Sequence, residues 1–373
     1  MALSIELVTD VAAFEALGVD WNELVDAMEF PEAFYRWEWS DIFRRHFRSS
    51  DSLFVLLVRE SAGAIVGLAP FCVRQARSFG ITVKVMETIV GGLSDYSNIF
   101  VRHGTHRGRV VSTILDFLHK RRDAWDVIDL WDICTRDATT LHVLNLAPPY
   151  PDWSVRTHVS TPVAVRDLTV PAPAANEKQL HQIRNRMKAL KTRGLQLKIG
   201  CTDIDTYWPA FCDLHRKAWP SGPFHEPAKQ AFYDELKSAA GLQGRMELSV
   251  AELEGRPVAI HFGFIDQRKV YYYMPAMDRD FRADRIGSVL LQAMIEHYGK
   301  THRVFDFMRG LEAYKLWYTD DLQLNLRLVI YRSASLRALA YNFAGVTRRY
   351  GVELGLPKAM SQLVKSWIGK VRR

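Results

Sequence analysis

Residues 270–310, VYYYMPAMDRDFRADRIGSVLLQAMIEHYGKTHRVFDFMRG, decide the fold that this sequence predicts. The stretch begins with aromatic and apolar residues, which is typical of a buried strand over 270–277. A charged loop over 278–287 follows, and apolar side chains then recur at helical spacing over 288–299. A second short strand is predicted over 304–307. The order strand, loop, helix, strand indicates an α/β unit.

Predicted elements on both sides extend this unit. Two strands form a hairpin around the turn Glu254-Gly255, two helices precede them, and a helix and a strand follow the quoted stretch. These elements cover 204–219 (helix), 227–240 (helix), 246–253 (strand), 257–265 (strand), 311–318 (helix) and 322–331 (strand). A hairpin combined with a helical crossover predicts a mixed, mostly antiparallel sheet flanked by helices.

The first half of the sequence repeats this order. The hairpin SLFVLLVRESAGAIVGLAPF at 52–71 parallels MELSVAELEGRPVAIHFGF at 246–264. The loop, helix and strand within 106–130 parallel those within 284–307. Similarity over this length is typical of duplicated units, although two unrelated α/β patterns can also look alike. The other elements predicted in this half are a helix over 10–29, with Thr9 or Asp10 as N-cap, a strand near 82–90 and a strand over 163–170.

We therefore predict an α/β (α+β) protein with two tandem domains and a tail. The Pro- and Ala-rich segment PAPAAN is the best linker, and a basic helix over 177–193 follows it. The predicted divisions are 1–170 for the N-terminal domain, 171–332 for the C-terminal domain and 333–373 for a basic helical tail. The chain is long enough for two hydrophobic cores.

The positive charge of the chain is concentrated in this tail. The whole sequence has a net charge of +7, but residues 332–373 hold nine Lys or Arg and one acid, so the rest is close to neutral. A neutral body does not favour strong nucleic-acid binding. Two apolar stripes at helical spacing fit either an anionic membrane surface or packing against the body. The stripes are Leu336, Leu339, Phe343 and Val346, and then Leu363, Val364, Trp367 and Ile368.

Composition excludes several classes of function. The cysteines are scattered, so neither a disulfide framework nor a zinc site is expected, and we predict no metal. The N-terminus lacks the basic region of a signal peptide, and no window is apolar enough to span a bilayer. We expect a cytoplasmic location, with peripheral contact at the inner membrane face through the tail left open. Motifs of serine hydrolases, zinc hydrolases and P-loop proteins are absent from the sequence.

The segment Arg282-Ala-Asp-Arg285-Ile-Gly287-Ser288 opens the helix of the quoted stretch. Backbone N–H groups at a helix start favour phosphate, a glycine allows close approach, and arginines add positive charge. The segment resembles the R/Q-x-x-G-x-G/A loop of GNAT acyltransferases, with Arg285 at the first glycine position. This resemblance implies two GNAT-like halves and acyl-CoA (acetyl-CoA) as co-substrate in the C-terminal half. The implied donor-binding residues are Met277, Arg282, Arg285, Ile286, Gly287 and Ser288.

A second set of motifs resembles the CelD/BcsL-type branch of GNAT proteins, which is associated with cellulose and exopolysaccharide loci. These motifs are Pro257-Val-Ala259, Tyr271-Tyr272-Tyr273, Asp278, Phe305-Asp306-Phe307-x-x-Gly310 and Tyr314-Lys315-Leu316-Trp317-Tyr318. The layout is also similar to that of Fem-type peptidoglycan aminoacyltransferases, which have two GNAT halves with a basic helix between them. Arg184 and Arg186, followed by Gly194, lie where that helix would be.

Acyl transfer needs an oxyanion stabiliser, a base for the nucleophile and an acid for the leaving group. Lys315 is the candidate for positive charge, and Tyr314 or Tyr318 for protonating a thiolate, as the resemblance implies. Asp95, on a loop after two glycines, and His261, in a strand, are the candidates for the base. Each has a structural alternative: a solvated lysine, tyrosines packed on the sheet, an Asx-turn residue and a buried strand histidine.

The leading functional hypothesis is transfer of an acyl group from acyl-CoA to an amine or hydroxyl of a sugar or envelope-related metabolite. The partner would then be a small-molecule or glycan-precursor acceptor. One alternative is a Fem-type aminoacyltransferase with tRNA as partner. Another is a non-catalytic GNAT-like scaffold in a polysaccharide synthase complex. A homodimer and contact of the tail with an anionic membrane stay open.

Overall fold

A computed structural model describes residues 2–353 of the chain, with side chains up to 345, and in that range it has thirteen strands and ten α-helices. The elements of the first half are β1 (Leu3–Val8), α1 (Val11–Glu15), α2 (Gly18–Asp26), α3 (Trp37–Phe47), β2 (Ser52–Glu60), β3 (Ile65–Ser78), β4 (Ile81–Thr88), β5 (Phe100–Val101), α4 (Arg107–Lys120), β6 (Val127–Cys134), α5 (Ala138–Leu146) and β7 (Trp153–Asp167). Those of the second half are α6 (Glu177–Thr192), β8 (Gln196–Cys201), α7 (Ile204–Ala218), α8 (Pro227–Leu236), β9 (Met246–Leu253), β10 (Arg256–Ile265), β11 (Lys269–Met277), α9 (Ile286–Tyr298), β12 (Val304–Arg309), β13 (Leu322–Arg332) and α10 (Leu336–Glu353).

Most of the predicted elements are confirmed. The predicted first helix divides into α1 and α2, and Asp10 caps α1 by accepting a hydrogen bond from the Ala13 N–H at 2.9 Å. The helix predicted over 311–318 is wrong, because the chain there forms only a 3-10 turn, Lys315–Trp317. β1, α3, β5, α5 and β8 were not predicted.

The strands form one continuous, mostly antiparallel sheet. Their order is β1-β2-β3-β4-β6-β13-β7-β12-β11-β10-β9-β8, with β5 paired to β3. Two neighbouring pairs are parallel, β4 with β6 and β11 with β12, and they occupy matching places in the two halves. The predicted mixed, mostly antiparallel sheet with helices on both faces is confirmed.

The last strands of the two halves are exchanged at the centre of the sheet. β13, from the end of the second half, lies between β6 and β7, and β7 in turn pairs with β12. The predicted boundaries near 170 and 332 divide the sequence, but the sheet is continuous across them. Each half of the sheet is completed by a strand from the other half. The division into domains stays a prediction.

Helices cover both faces of the sheet. α4 and α5 pack on one face of the first half, and α6 and α9 pack on the same face of the second half. On the other face, α1 to α3 share one hydrophobic core with α7 and α8. Trp39 of α3 contacts Phe232 of α8 with ring centroids 5.4 Å apart, so this core joins the two halves.

The beginning of the tail is helical and packs on the first half. α10 buries Ala338 against β4, β6 and β13, and the Tyr341 hydroxyl donates to Asp129 Oδ2 at 2.7 Å. The first predicted apolar stripe, represented by Leu336 and Phe343, lies on the exposed side of this helix. The second stripe, within 363–368, lies outside the described residues. No helix within residues 2–353 is both long and apolar enough to cross a membrane.

Candidate functional site

A cleft of about 520 Å³ passes through the sheet between β11 and β12. The two strands pair only over Lys269–Tyr271 and Val304–Asp306, and the strand ends beyond these residues diverge. α7 borders the cleft from one face of the sheet and α9 borders it from the other. The cleft therefore connects the two faces of the sheet. Its lining includes Asp95, His215, Trp219, Met277, Gly287, Ser288, Arg309, Tyr314 and Lys315.

The first turn of α9 lies at one end of the cleft. Arg285, immediately before the helix, has a left-handed backbone with φ 53°, the conformation that a glycine would otherwise favour there. A Cβ atom on Gly287 would lie 3.0 Å from Met277 Sδ, so a larger residue would narrow the cleft. Within the described part of the chain no side chain caps this helix, which leaves its first N–H groups available to an anion.

The predicted donor-binding residues divide into two groups. Those that line the cleft are Met277, Gly287 and Ser288. Ile286, the first residue of α9, is buried and packs in the core on the sheet face that α9 covers. Arg282 and Arg285 are exposed outside the cleft, and Arg285 Nη1 donates to Gln182 Oε1 of α6 at 3.4 Å.

Lys315 is buried at the end of β12 rather than solvated. Its ammonium donates to the carbonyl oxygens of Arg309 at 2.8 Å, Gly310 at 3.3 Å and Met308 at 3.4 Å. Glu312 Oε2 lies 2.8 Å from the same nitrogen. Because three carbonyls converge on one cation, Lys315 fixes the turn that follows β12 and borders the cleft.

Asp95 reaches the cleft from the loop after β4 and pairs with Arg309. Asp95 Oδ2 accepts the Arg309 backbone N–H at 3.1 Å, and Oδ1 accepts the guanidinium Nε–H. Asn325 Nδ2 donates to the Asp95 carbonyl oxygen at 2.7 Å. Burial raises the pKa of the Asp95 carboxyl, and the Arg309 charge opposes that rise. The Asp95 carboxylate therefore links the first half to β12 through its hydrogen bonds with Arg309.

The sequence of the second half matches a known protein family. Residues 177–316 match the family model described as acetyltransferase (GNAT) domain. The matched segment contains α9, β11, β12 and most of the cleft lining. The second half has the GNAT fold.

Solved structures extend the fold similarity to both halves. The structure named FemX has a TM-score of 0.59 with 9% identity, over 91% of this chain and 99% of that one. The C-terminal domain of a putative lysylphosphatidylglycerol synthetase from Agrobacterium fabrum has a TM-score of 0.55 with 12% identity, over 90% and 97%. L-PGS from Bacillus licheniformis has a TM-score of 0.51 with 13% identity, over 89% and 95%. No curated protein sequence matches this chain significantly.

In the first GNAT-like half, the chain after β4 lies at the place that matches the cleft. β4 and β6 also pair only briefly, at Val85–Val127 and Met86–Ile128. The chain after β4 then returns to the sheet, where Ser97 bridges Ile133 in parallel and β5 pairs with β3. The loop that carries Asp95 therefore fills the gap between β4 and β6, whereas the corresponding gap between β11 and β12 is open.

His261 lies behind the cleft and has a structural contact. Tyr272 and Tyr273 of β11 face the single residue Gly263 of β10, which makes a β-bulge. The bulge turns the Tyr273 N–H away from the ladder, and this N–H donates to His261 Nε2 at 3.0 Å. Burial lowers the pKa of His261 to about 3, so the ring is neutral. His261 is not among the residues that line the cleft.

The two candidate tyrosines occupy different places. Tyr314 is half-buried and lines the cleft, whereas Tyr318 is fully buried and stacks on Phe307 with ring centroids 5.8 Å apart. Burial raises the pKa of both hydroxyls above their ordinary value. The structure therefore brings Tyr314, Lys315 and Asp95 to one cleft and leaves Tyr318 outside it.

Arg309, His215 and Trp219 are among the cleft residues that were not predicted from the sequence. Arg309 directly precedes Gly310 of the Phe-Asp-Phe-x-x-Gly motif, and that position was the available signal. His215 and Trp219 lie four residues apart at the end of α7, so they face the same side. The Trp219 indole N–H donates to the Pro275 carbonyl oxygen at 3.0 Å, which holds the ring at the cleft.

Proposed function

We propose that this chain transfers an acyl group from acyl-CoA to an amine or hydroxyl of a sugar or envelope-related metabolite. The observation that carries the proposal is the cleft that passes through the sheet of the GNAT domain. Donor and acceptor would enter from opposite faces and meet between β11 and β12. Holding two reactants in one geometry is itself a large part of the catalysis of acyl transfer.

The α9 end of the cleft suits the donor. The uncapped first turn offers N–H groups and the positive end of a helix dipole to a pyrophosphate. Gly287 leaves room for a chain beside Met277, where a Cβ atom would intrude. In this proposal the backbone at Gly287 and Ser288 holds the phosphates, and the apolar cleft receives the arm that carries the acyl group.

The α7 end suits the acceptor. Trp219 is 48% exposed at this end, and a half-exposed aromatic ring gives a sugar a flat apolar surface to lie against. Asp95 and Arg309 add a fixed ion pair on the side of the first half. An acceptor that has hydroxyl groups and also an apolar ring face would match this combination.

In the proposed reaction three side chains of the cleft have different roles. Tyr314 is the candidate to protonate the departing sulfur, because it lines the cleft and its hydroxyl stays un-ionised at neutral pH. Lys315 acts as a positioning residue, since its ammonium is occupied by the carbonyls after β12. Asp95 keeps Arg309 in place and so fixes the acceptor side.

A second candidate is aminoacyl transfer from charged tRNA, as the Fem-type resemblance implies. The observation that favours it is the exposed basic surface of α6, where Arg186 and Arg193 lie 3.5 Å and 3.1 Å from Asp284 beside the start of α9. A nucleic-acid 3′ end could approach the cleft along this surface. A non-catalytic scaffold remains the third reading.

The deciding experiment combines binding and turnover on the purified chain. Calorimetry with CoA and acetyl-CoA tests the donor, and release of free thiol is followed with a panel of glucosamine, ethanolamine and lysine methyl ester. We expect CoA binding and amine-dependent thiol release. Binding of charged tRNA without CoA binding would instead favour the second candidate, and neither ligand binding would favour the scaffold.

A further inference from the structure

His215 is a buried histidine at the acceptor end of the cleft. It lies on α7, is 5% exposed, and belongs to the cleft lining. A Cβ atom on Gly222 would lie 2.7 Å from its Cε1 and 3.0 Å from its Nδ1, so that edge of the ring is closed by the chain. Nε2 is therefore the ring nitrogen left to face the cleft. Phe224 packs on the ring at 4.9 Å and holds its orientation.

Within residues 2–353, three side chains of the lining are bases that could accept a proton at neutral pH. Asp95 is occupied by two hydrogen bonds from Arg309. Glu312 is occupied by Lys315 at 2.8 Å. His215 is the third, and its Nδ1 is buried with no hydrogen-bond partner among the described residues. The chain at Gly222 closes the side of the ring that carries Nδ1, so Nδ1 holds the ring hydrogen and Nε2 is the nitrogen left to accept a proton.

We infer that His215 is a catalytic residue that accepts the proton of the acceptor nitrogen, an inference that rests on the proposed function. The acceptor amine attacks the thioester carbonyl carbon, so that a C–N bond forms and the C–S bond breaks. The electron pair of that bond leaves with sulfur, which takes a proton from Tyr314. The proton lost by nitrogen passes to His215 Nε2, with the ring hydrogen on Nδ1.

The surroundings of the ring keep it unprotonated before the reaction. Burial, together with the neighbouring His225, lowers the pKa of His215 to about 4. The imidazole is consequently neutral at physiological pH.

The test uses the full chain with acetyl-CoA and glucosamine, or with whichever amine of the panel the wild type uses fastest. His215→Ala should lower the rate of transfer about 100-fold, the lower range for loss of a general base. CoA affinity should stay unchanged, because His215 lies at the other end of the cleft. Added imidazole should restore turnover in proportion to its concentration. His215→Gln keeps the volume and should be equally slow without a change in melting temperature.

His181→Ala is the matched control, since His181 is exposed on α6 and outside the cleft, and it should transfer at the wild-type rate. Wild-type turnover in His215→Ala overturns the inference. A loss of turnover that imidazole does not restore, accompanied by weaker CoA binding, also overturns it and gives His215 a structural role. If the wild type neither binds CoA nor releases thiol, the proposed function itself fails, and this inference falls with it.

Discussion

Replacing Lys315 with methionine tests whether this residue holds the end of β12. Methionine keeps most of the length of the side chain but removes the ammonium that the carbonyls of Met308, Arg309 and Gly310 share. An exposed lysine could be replaced with a change of within about 0.5 kcal/mol. Lys315 is only 3% exposed, so a larger effect is expected.

The magnitude follows from the distances. The contact at 2.8 Å to the Arg309 carbonyl is a charge-assisted hydrogen bond, worth about 1.5–3 kcal/mol, and those at 3.3 Å and 3.4 Å add little. We expect Lys315→Met to lower the free energy of unfolding by about 2–3 kcal/mol. For 373 residues, an unfolding entropy of about 2.1 cal/mol/K per residue converts this to a fall in melting temperature of roughly 3–4 °C.

The assay measures melting temperature and amine-dependent thiol release on the same preparations. Transfer should also fall, by about 100-fold, because the displaced turn borders the cleft and small misplacements of reacting groups are costly. Glu312→Gln is the control: Glu312 is half-exposed and the carbonyl contacts of Lys315 survive, so its stability should change by less than about 1 kcal/mol. An unchanged melting temperature in Lys315→Met would refute the structural role of Lys315. Any loss of transfer would then come from a direct role of Lys315 in the reaction.

Three further predictions concern the two ends of the cleft and the stability of the fold. Gly287→Val should weaken CoA binding by at least about tenfold in calorimetry, since its side chain meets Met277, and unchanged affinity would move the donor site elsewhere. Asp95→Asn should keep CoA binding but lose transfer, because an amide cannot satisfy both donors of Arg309, and wild-type turnover would contradict this. Burial raises the pKa of Glu247 to about 7 from 4.5, so the folded state holds a proton that the unfolded state releases, and stability should fall by about 3 kcal/mol as pH rises from 4.5 to 7. Glu247→Gln should remove this contribution and reduce the slope of stability against pH in urea unfolding, and an unchanged slope would exclude the Glu247 carboxyl as its source.

The fold could be predicted where its causes are local. Periodicity and turn glycines lie within a few residues of the elements they specify, which is why β11, α9 and β12 follow the sequence closely. The exchange of β7 and β13 could not be predicted from local sequence patterns. It depends on pairing between Val163 and Gln323, residues far apart in the chain whose contact only tertiary structure decides.

The same distinction applies to the site. Gly287 and Ser288 belong to one helix start, so their place at the cleft was predictable from a short segment. Asp95 was expected on the acceptor side, but its partner Arg309 is 214 residues away. His215 resembles an ordinary core residue of an amphipathic helix, and only the opening between β11 and β12 distinguishes it.

The loop that carries Asp95 fills the gap between β4 and β6 in the first half, and it also lines the cleft of the second half. Its Asp95 holds Arg309, and the hydroxyl of the adjacent Tyr96 donates to Asp306 Oδ2 at 2.6 Å. Asp306 lies on the same strand as Arg309 and is buried 2.7 Å from Lys269. Glu32 of the first half also pairs with Lys269 at 2.6 Å, so three polar contacts join the first half to β11 and β12. Asp95 and Tyr96 therefore fix this loop of the first half to β12, the strand that borders the cleft of the second half.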